Sequence, residues 1–90
     1  MFRFKKSIPV EYDVQGYIYF ASRRYADMPQ RERKRIEELC ELAGGQYQHA
    51  LFEFVTTDTG AAAVCAKHFI SESTLERIVR NYYIAYAKRL

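Results

Sequence analysis

The 90-residue chain predicts an all-α domain of four to five helices with an extended N-terminal arm or short strand. Three observations carry that expectation. Ile36, Leu39, Cys40 and Ala43 recur at i, i+3, i+4 and i+7, and the run stops at Gly44-Gly45, where glycine suits a left-handed helix end. Leu75, Ile78 and Val79 recur at helical spacing behind Ser71, whose hydroxyl suits a helix start. Between Ser71 and Leu90 neither proline nor glycine interrupts the chain.

In order, residues 1–14 form the arm, where Phe2-Arg3-Phe4-Lys5 alternates apolar and basic and Pro9 keeps Ile8 out of a helix. Asp13 is the expected cap of a first helix over Gln15–Ala26, with Tyr17, Ala21 and Tyr25 as its inward stripe, Ile18 and Phe20 beside them, and Arg23 and Arg24 outside. Asp27-Met28-Pro29-Gln30 reads as the N-cap and capping-box spacing of a second helix that runs to Ala43. Gln46–Thr57 places Tyr47, Ala50, Leu51 and Phe54 at helical spacing, although Leu51–Thr57 would also make a strand; helix is preferred because a helix ending near Thr57, followed by a turn and the helix after it, completes a three-helix unit. Asp58-Thr59-Gly60 then turns into a helix over Ala61–His68. Val64, Cys65 and His68 form the face expected to pack on the following helix, which continues from Ser71 through Tyr82, Tyr83 and Tyr86. Residues 46–80 thus form a tri-helical core within a single domain of residues 1–90.

Composition bounds the function. Eight Tyr and six Phe allow a small core to bury much apolar area per residue, and burial near 60% of the unfolded surface, roughly what this length permits, leaves little stability to spare. A homodimer is expected on that ground. Residues 1–35 hold nine Lys or Arg against four acids, whereas residues 36–58 hold five acids and no Lys or Arg. One basic side attracts phosphate backbones, and the acidic 37–53 region offers a surface for a protein partner. Cys40 and Cys65 have no CxxC spacing and no signal-peptide pattern precedes them, which fits reduced, buried thiols in the cytoplasm. No apolar run approaches the about 18 residues of a membrane span.

Residues 64–80, Val-Cys-Ala-Lys-His-Phe-Ile-Ser-Glu-Ser-Thr-Leu-Glu-Arg-Ile-Val-Arg, resemble the helix-turn-helix of DNA-binding regulators from bacteria, phages and mobile elements. Cys65 takes the family's small position, Ile70 the apolar turn position, Ser71 the start of the recognition helix and Leu75 the apolar position within it. The pattern departs at Phe69, where the family commonly has glycine, and at His68, where it commonly has leucine. A bulky residue at a turn position that often takes positive φ predicts strain or a longer turn.

The resemblance implies sequence-specific double-stranded DNA binding and transcription regulation. The helix from Ser71 would lie in the major groove with Ser73, Glu76, Arg77 and Arg80 toward base edges and Glu72 beside them. Lys67, Ser71 and Thr74 would meet phosphates. Arg31, Arg33, Lys34 and Arg35 form the strongest basic cluster in the sequence, which either adds phosphate contacts elsewhere or is only the exposed half of an amphipathic helix. A solvated helix face with a Glu76–Arg80 pair is the alternative for the first set.

No phosphate loop, activated serine or carboxylate pair appears, so the chain is read as non-enzymatic. Cys65-x-x-His68 with Cys40 and His49 lacks zinc-knuckle spacing, and neither metal nor cofactor is expected. The competing functions are a protein-interaction module, such as a phage-type inhibitor or adaptor, and single-stranded nucleic-acid binding through exposed aromatics.

Overall fold

Proline and glycine set three of the helix boundaries, at Pro29, Gly45 and Gly60. The computed structural model describes residues 2–90, which form five α-helices and two single 3-10 turns and contain no strand. α1 spans Tyr12–Arg23, α2 Gln30–Gly44, α3 Gln48–Thr56, α4 Ala61–His68 and α5 Glu72–Ala87, with 3-10 turns at Tyr25–Asp27 and Gly45–Tyr47. The all-α expectation is met.

α1 corrects the expected stripe. Gln15, Ile18 and Ser22, spaced i, i+3 and i+7, are its buried residues, while Tyr17 and Phe20 stand 55% and 59% exposed. Two polar side chains win the inward positions because each has partners there. Ser22 Oγ donates to the Ile18 carbonyl at 2.7 Å and lies 2.7 Å from the Tyr82 hydroxyl. Asp13 does not cap the helix. It lies in the first turn, where its carboxylate accepts from the Val14 N–H, and Glu11 holds the cap position without a side-chain bond.

The helix ends three residues before Ala26, and the chain passes through the 3-10 turn to Met28, which Pro29 holds in extended backbone at φ −79° and ψ 149°. The same constraint removes Asp27 from the start of α2: it belongs to the 3-10 turn, and Pro29 occupies the cap position with no side-chain bond. The Pro29 carbonyl receives the Glu32 and Arg33 N–H groups, each at 3.0 Å.

α2 buries Ile36, Leu39 and Cys40, as its periodicity requires, and stops at Gly45 with φ 56° and ψ −124°, a conformation that needs glycine. α3 buries Ala50, Leu51 and Val55. In a strand Leu51, Glu53 and Val55 would share one face, whereas the i, i+4 pair Leu51 and Val55 points inward without Glu53 being buried as deeply, so the helical alternative holds. A single core joins all five helices, and α2 packs most extensively on α5 and α3. The tri-helical unit of residues 46–80 is therefore closed by α2 from outside its bounds.

The arm is not a strand: it turns over Lys5–Ile8, where the Ile8 N–H reaches the Lys5 carbonyl at 3.1 Å, and one side chain fixes it. Gln15, 1% exposed, accepts the Lys5 N–H at 3.1 Å and donates Nε2 toward the carbonyls of Lys5, Ile8 and Val10 at 3.0, 3.2 and 2.9 Å. This places Ile8 and Val10 in the core. Phe2 lies over Gly16, where a Cβ would meet its ring at 3.5 Å, and packs with Tyr12, Tyr19 and Phe20.

Three residues, Phe69, Ile70 and Ser71, join α4 to α5. Phe69 takes φ 57° and ψ 46°, the left-handed conformation that ends a helix, and the Ile70 N–H reaches the Cys65 carbonyl at 3.1 Å. The connection is short, so the departure from glycine is met by strain at Phe69 and not by a longer turn. Its ring is 93% exposed and packs on nothing that offsets the strain. Phe69→Gly is expected to raise stability by about 1 kcal/mol, read as a higher denaturant midpoint at unchanged m-value.

Candidate nucleic-acid interface

The outward face of α5 follows from what its inward face buries. Leu75, Ile78, Val79, Tyr82, Tyr83 and Tyr86 all point into the core, which leaves Glu72, Ser73, Glu76, Arg77 and Arg80 exposed. The Ser71 hydroxyl accepts the Thr74 N–H at 3.1 Å and contacts the Thr74 and Ser73 hydroxyls at 2.9 and 3.1 Å. Ser71 therefore caps α5, and Thr74 is half-buried beside it.

The i, i+4 pair expected of a solvated face is not formed. Among the described residues the ion pairs are Arg23–Asp58, Lys67–Glu53 and His68–Glu53, and neither Glu76 nor Arg77 takes part in one. Arg80 turns its Nε to the Ser7 carbonyl at 3.3 Å, tying the arm to the middle of α5. Arg77 and Glu76 thus stand free on the second turn of the helix, with Ser73 one turn before them.

Lys67 and His68 face a different element from the one expected. Lys67 Nζ and His68 Nε2 lie 3.1 and 2.9 Å from Glu53 Oε1, so His68 packs toward α3 and not toward α5. Both reach back because Phe69 ends α4 directly after them. Glu53 is accordingly engaged inside the fold, which removes it from the acidic 37–53 surface and leaves Glu37, Glu38 and Glu41 exposed on α2. Of these, Glu37 accepts a hydrogen bond from the Tyr25 hydroxyl.

The basic cluster of α2 stands apart from Arg77. Arg31, Arg33, Lys34 and Arg35 are all exposed and none is ion-paired among the described residues. Burial raises the Tyr86 hydroxyl above the ordinary tyrosine range, while Arg35 lowers and Glu32 raises it, which puts the start of α2 beside the end of α5. With a rise of about 1.5 Å per residue, Tyr86 lies about 14 Å along the axis from Arg77. Two separate cationic regions therefore lie along α5, one at its second turn and one beside its last.

Cys40 and Cys65 are free and buried. Burial, with Glu37 adding to it, pushes the Cys40 thiol up to about 12, so it is protonated at neutral pH. No three His, Cys, Asp or Glu side chains among the described residues come together in a set able to hold a metal ion. No helix among them is long and apolar enough to cross a membrane.

Two features escaped periodicity. Tyr12, Tyr17 and Phe20 make an exposed aromatic side of α1, although Tyr17 belongs to the stripe expected to face inward. Arg3, Lys5, Arg23 and Asp58 meet around a cleft, although they come from the arm, α1 and the α3–α4 connection. No local pattern links such positions. Comparison with family models, curated proteins and solved structures finds no match to this chain.

The Glu53 contacts carry a pH dependence. Hydrogen bonds from His68 and then Lys67 hold its carboxyl below the ordinary glutamate range. A depressed carboxyl adds stability above the unfolded-state value, and that contribution is lost as pH falls through the folded-state value. Glu53→Gln is expected to flatten the acid limb of the stability profile below about pH 4.5. Denaturant titrations across the acidic range measure it, and an unchanged limb contradicts the assignment.

Proposed function

We propose that this protein is a small double-stranded DNA-binding regulator that reads sequence with the N-terminal half of α5. The observation that carries the reading is the free state of Arg77 and Glu76 on a helix whose first turn is capped by Ser71 and whose opposite face is fully buried. Arg77 offers a planar fork for guanine, Glu76 an acceptor for a cytosine amino group, and Ser73 a small polar contact one turn earlier. Arg80, bonded through Nε to the arm, keeps its terminal nitrogens for a base or phosphate. Helix, three-residue turn and helix in the order α4 to α5 suit a helix-turn-helix docking, in which Lys67, Ser71 and Thr74 border the phosphates.

The unpaired cations at the start of α2 support the same reading. Arg31, Arg33, Lys34 and Arg35 crowd the positive end of a helix dipole, which costs a few tenths of a kcal/mol per charge in the free protein. Phosphates nearby would reverse the sign of that cost. In a homodimer with two α5 helices about 34 Å apart, successive major grooves of one duplex face would be filled, and the α2 clusters would meet the flanking backbone. A regulator of transcription in a bacterium, phage or mobile element, working in the cytoplasm, fits this size and chemistry.

Fluorescence polarisation with a labelled random-sequence duplex tests the reading. Binding is expected at low salt and is expected to weaken steeply as salt rises. Arg33→Ala is expected to reduce the salt slope by about 1, whereas Arg77→Ala is expected to cost about 1–3 kcal/mol on a selected site and less on random duplex. Absence of binding at low salt contradicts the proposal.

A further inference from the structure

A cleft of about 690 Å³ lies between the N-terminal arm and the α3–α4 connection, and Ser73, Glu76, Arg77 and Arg80 do not line it. Its floor is apolar, made by Ile8, Val55, Val79 and Tyr83, with Phe54 on one wall. A second hollow of about 330 Å³ adjoins it and shares Lys5, Ile8, Phe54, Ala61 and Val79, but Glu72 and Glu76 line that hollow and not the cleft. The cleft's size falls within the range of small-molecule sites.

The charges around the 690 Å³ cleft do not balance. Arg3, Lys5 and Arg23 line it, and Asp58 is the acid among its lining residues. Three cations against one carboxylate leave the cleft cationic. Arg23 is the fixed member. Its guanidinium lies over the Tyr19 ring, 4.5 Å from the centroid, and its side chain is only 24% exposed. Asp58, its partner through Nη1, is 91% exposed and sits on a loop, so its hold on Arg23 is open to exchange with water. The Arg23 Nε is buried and has no hydrogen-bond partner, which leaves a desolvated donor at the site that Asp58 does not satisfy.

We infer that this cleft binds a small organic anion: a carboxylate on a flat apolar body, with the carboxylate replacing Asp58 on Arg23 and the body resting against Phe54 and Val79. Arg3 and Lys5 flank the bound carboxylate. Arg23 takes it with the planar guanidinium fork, which the single Asp58 contact leaves mostly unused. The arm contributes to the site because Gln15 holds the Lys5 backbone in place.

Exchange on one arginine gives a test that a purely structural ion pair does not reproduce. Arg23→Gln and Asp58→Asn break the same pair, so a structural role predicts that they act alike. Ligand exchange predicts opposite signs. With 2-naphthoate as the probe, amide shifts in the nitrogen-15 NMR spectrum of the whole protein are expected at Lys5, Gly60 and Ala61. Arg23→Gln is expected to weaken binding about tenfold and Asp58→Asn to strengthen it. Arg3→Gln, on the exposed arm, gives a weaker loss and serves if Arg23→Gln does not fold. Neutral 2-naphthamide is expected to bind more weakly than the carboxylate. The inference is overturned if millimolar naphthoate leaves these amides unmoved, if the Arg23 and Asp58 variants shift affinity in the same direction, or if the amide binds as well as the acid.

Discussion

The hydrogen bond between Tyr82 and Ser22 fixes how α5 is turned about its own axis. Tyr82 is the largest fully buried side chain, and its hydroxyl meets Ser22 Oγ at 2.7 Å. Ser22 spends its single proton on the Ile18 carbonyl, so Tyr82 donates to it, and an unpaired hydroxyl at this depth would cost about 1–3 kcal/mol. Burial itself drives the Tyr82 hydroxyl well above the ordinary tyrosine range, so it stays protonated and able to donate. Rotating α5 by one residue would break this bond and also move Leu75 and Ile78 out of the core. The exposure of Ser73, Arg77 and Arg80 follows from that register and needs no separate cause.

Gln15 does for the arm what Tyr82 does for α5. Segments without regular structure leave backbone groups that a core cannot accept, and one amide here satisfies four of the contacts that bring residues 5–10 against the helices. With the arm seated, Arg80 can reach Ser7, and Lys5 becomes a wall of the cleft. The two proposed sites thus share a support.

Most helices were legible in the sequence because their signals are local. The Ile36–Ala43 stripe, the Gly45 stop and the Ser71 cap each depend on residues within a turn or two, and all are found in place. The errors came where a distant partner decided. Apolar counting put Tyr17 and Phe20 inside, yet Gln15 and Ser22 take the core positions through hydrogen bonds to the arm and to α5. Asp13 and Asp27 have good capping chemistry, but Glu11 and Pro29 hold the cap positions instead. His68 was placed against α5, and Glu53, fifteen residues earlier, draws it to α3. For the site, the exposed face of α5 followed from its register, whereas the cleft joins residues with no common period.

Amide shift mapping of the whole protein with a short random-sequence duplex addresses the central claim most directly, since it shows which face of the chain meets DNA. The account predicts that shifts gather on Lys67 and Ser71–Arg80, with a second group at Arg31–Arg35, and leave the aromatic side of α1 unchanged. Shifts confined to Tyr12–Phe20, or no shifts at low salt, would contradict it.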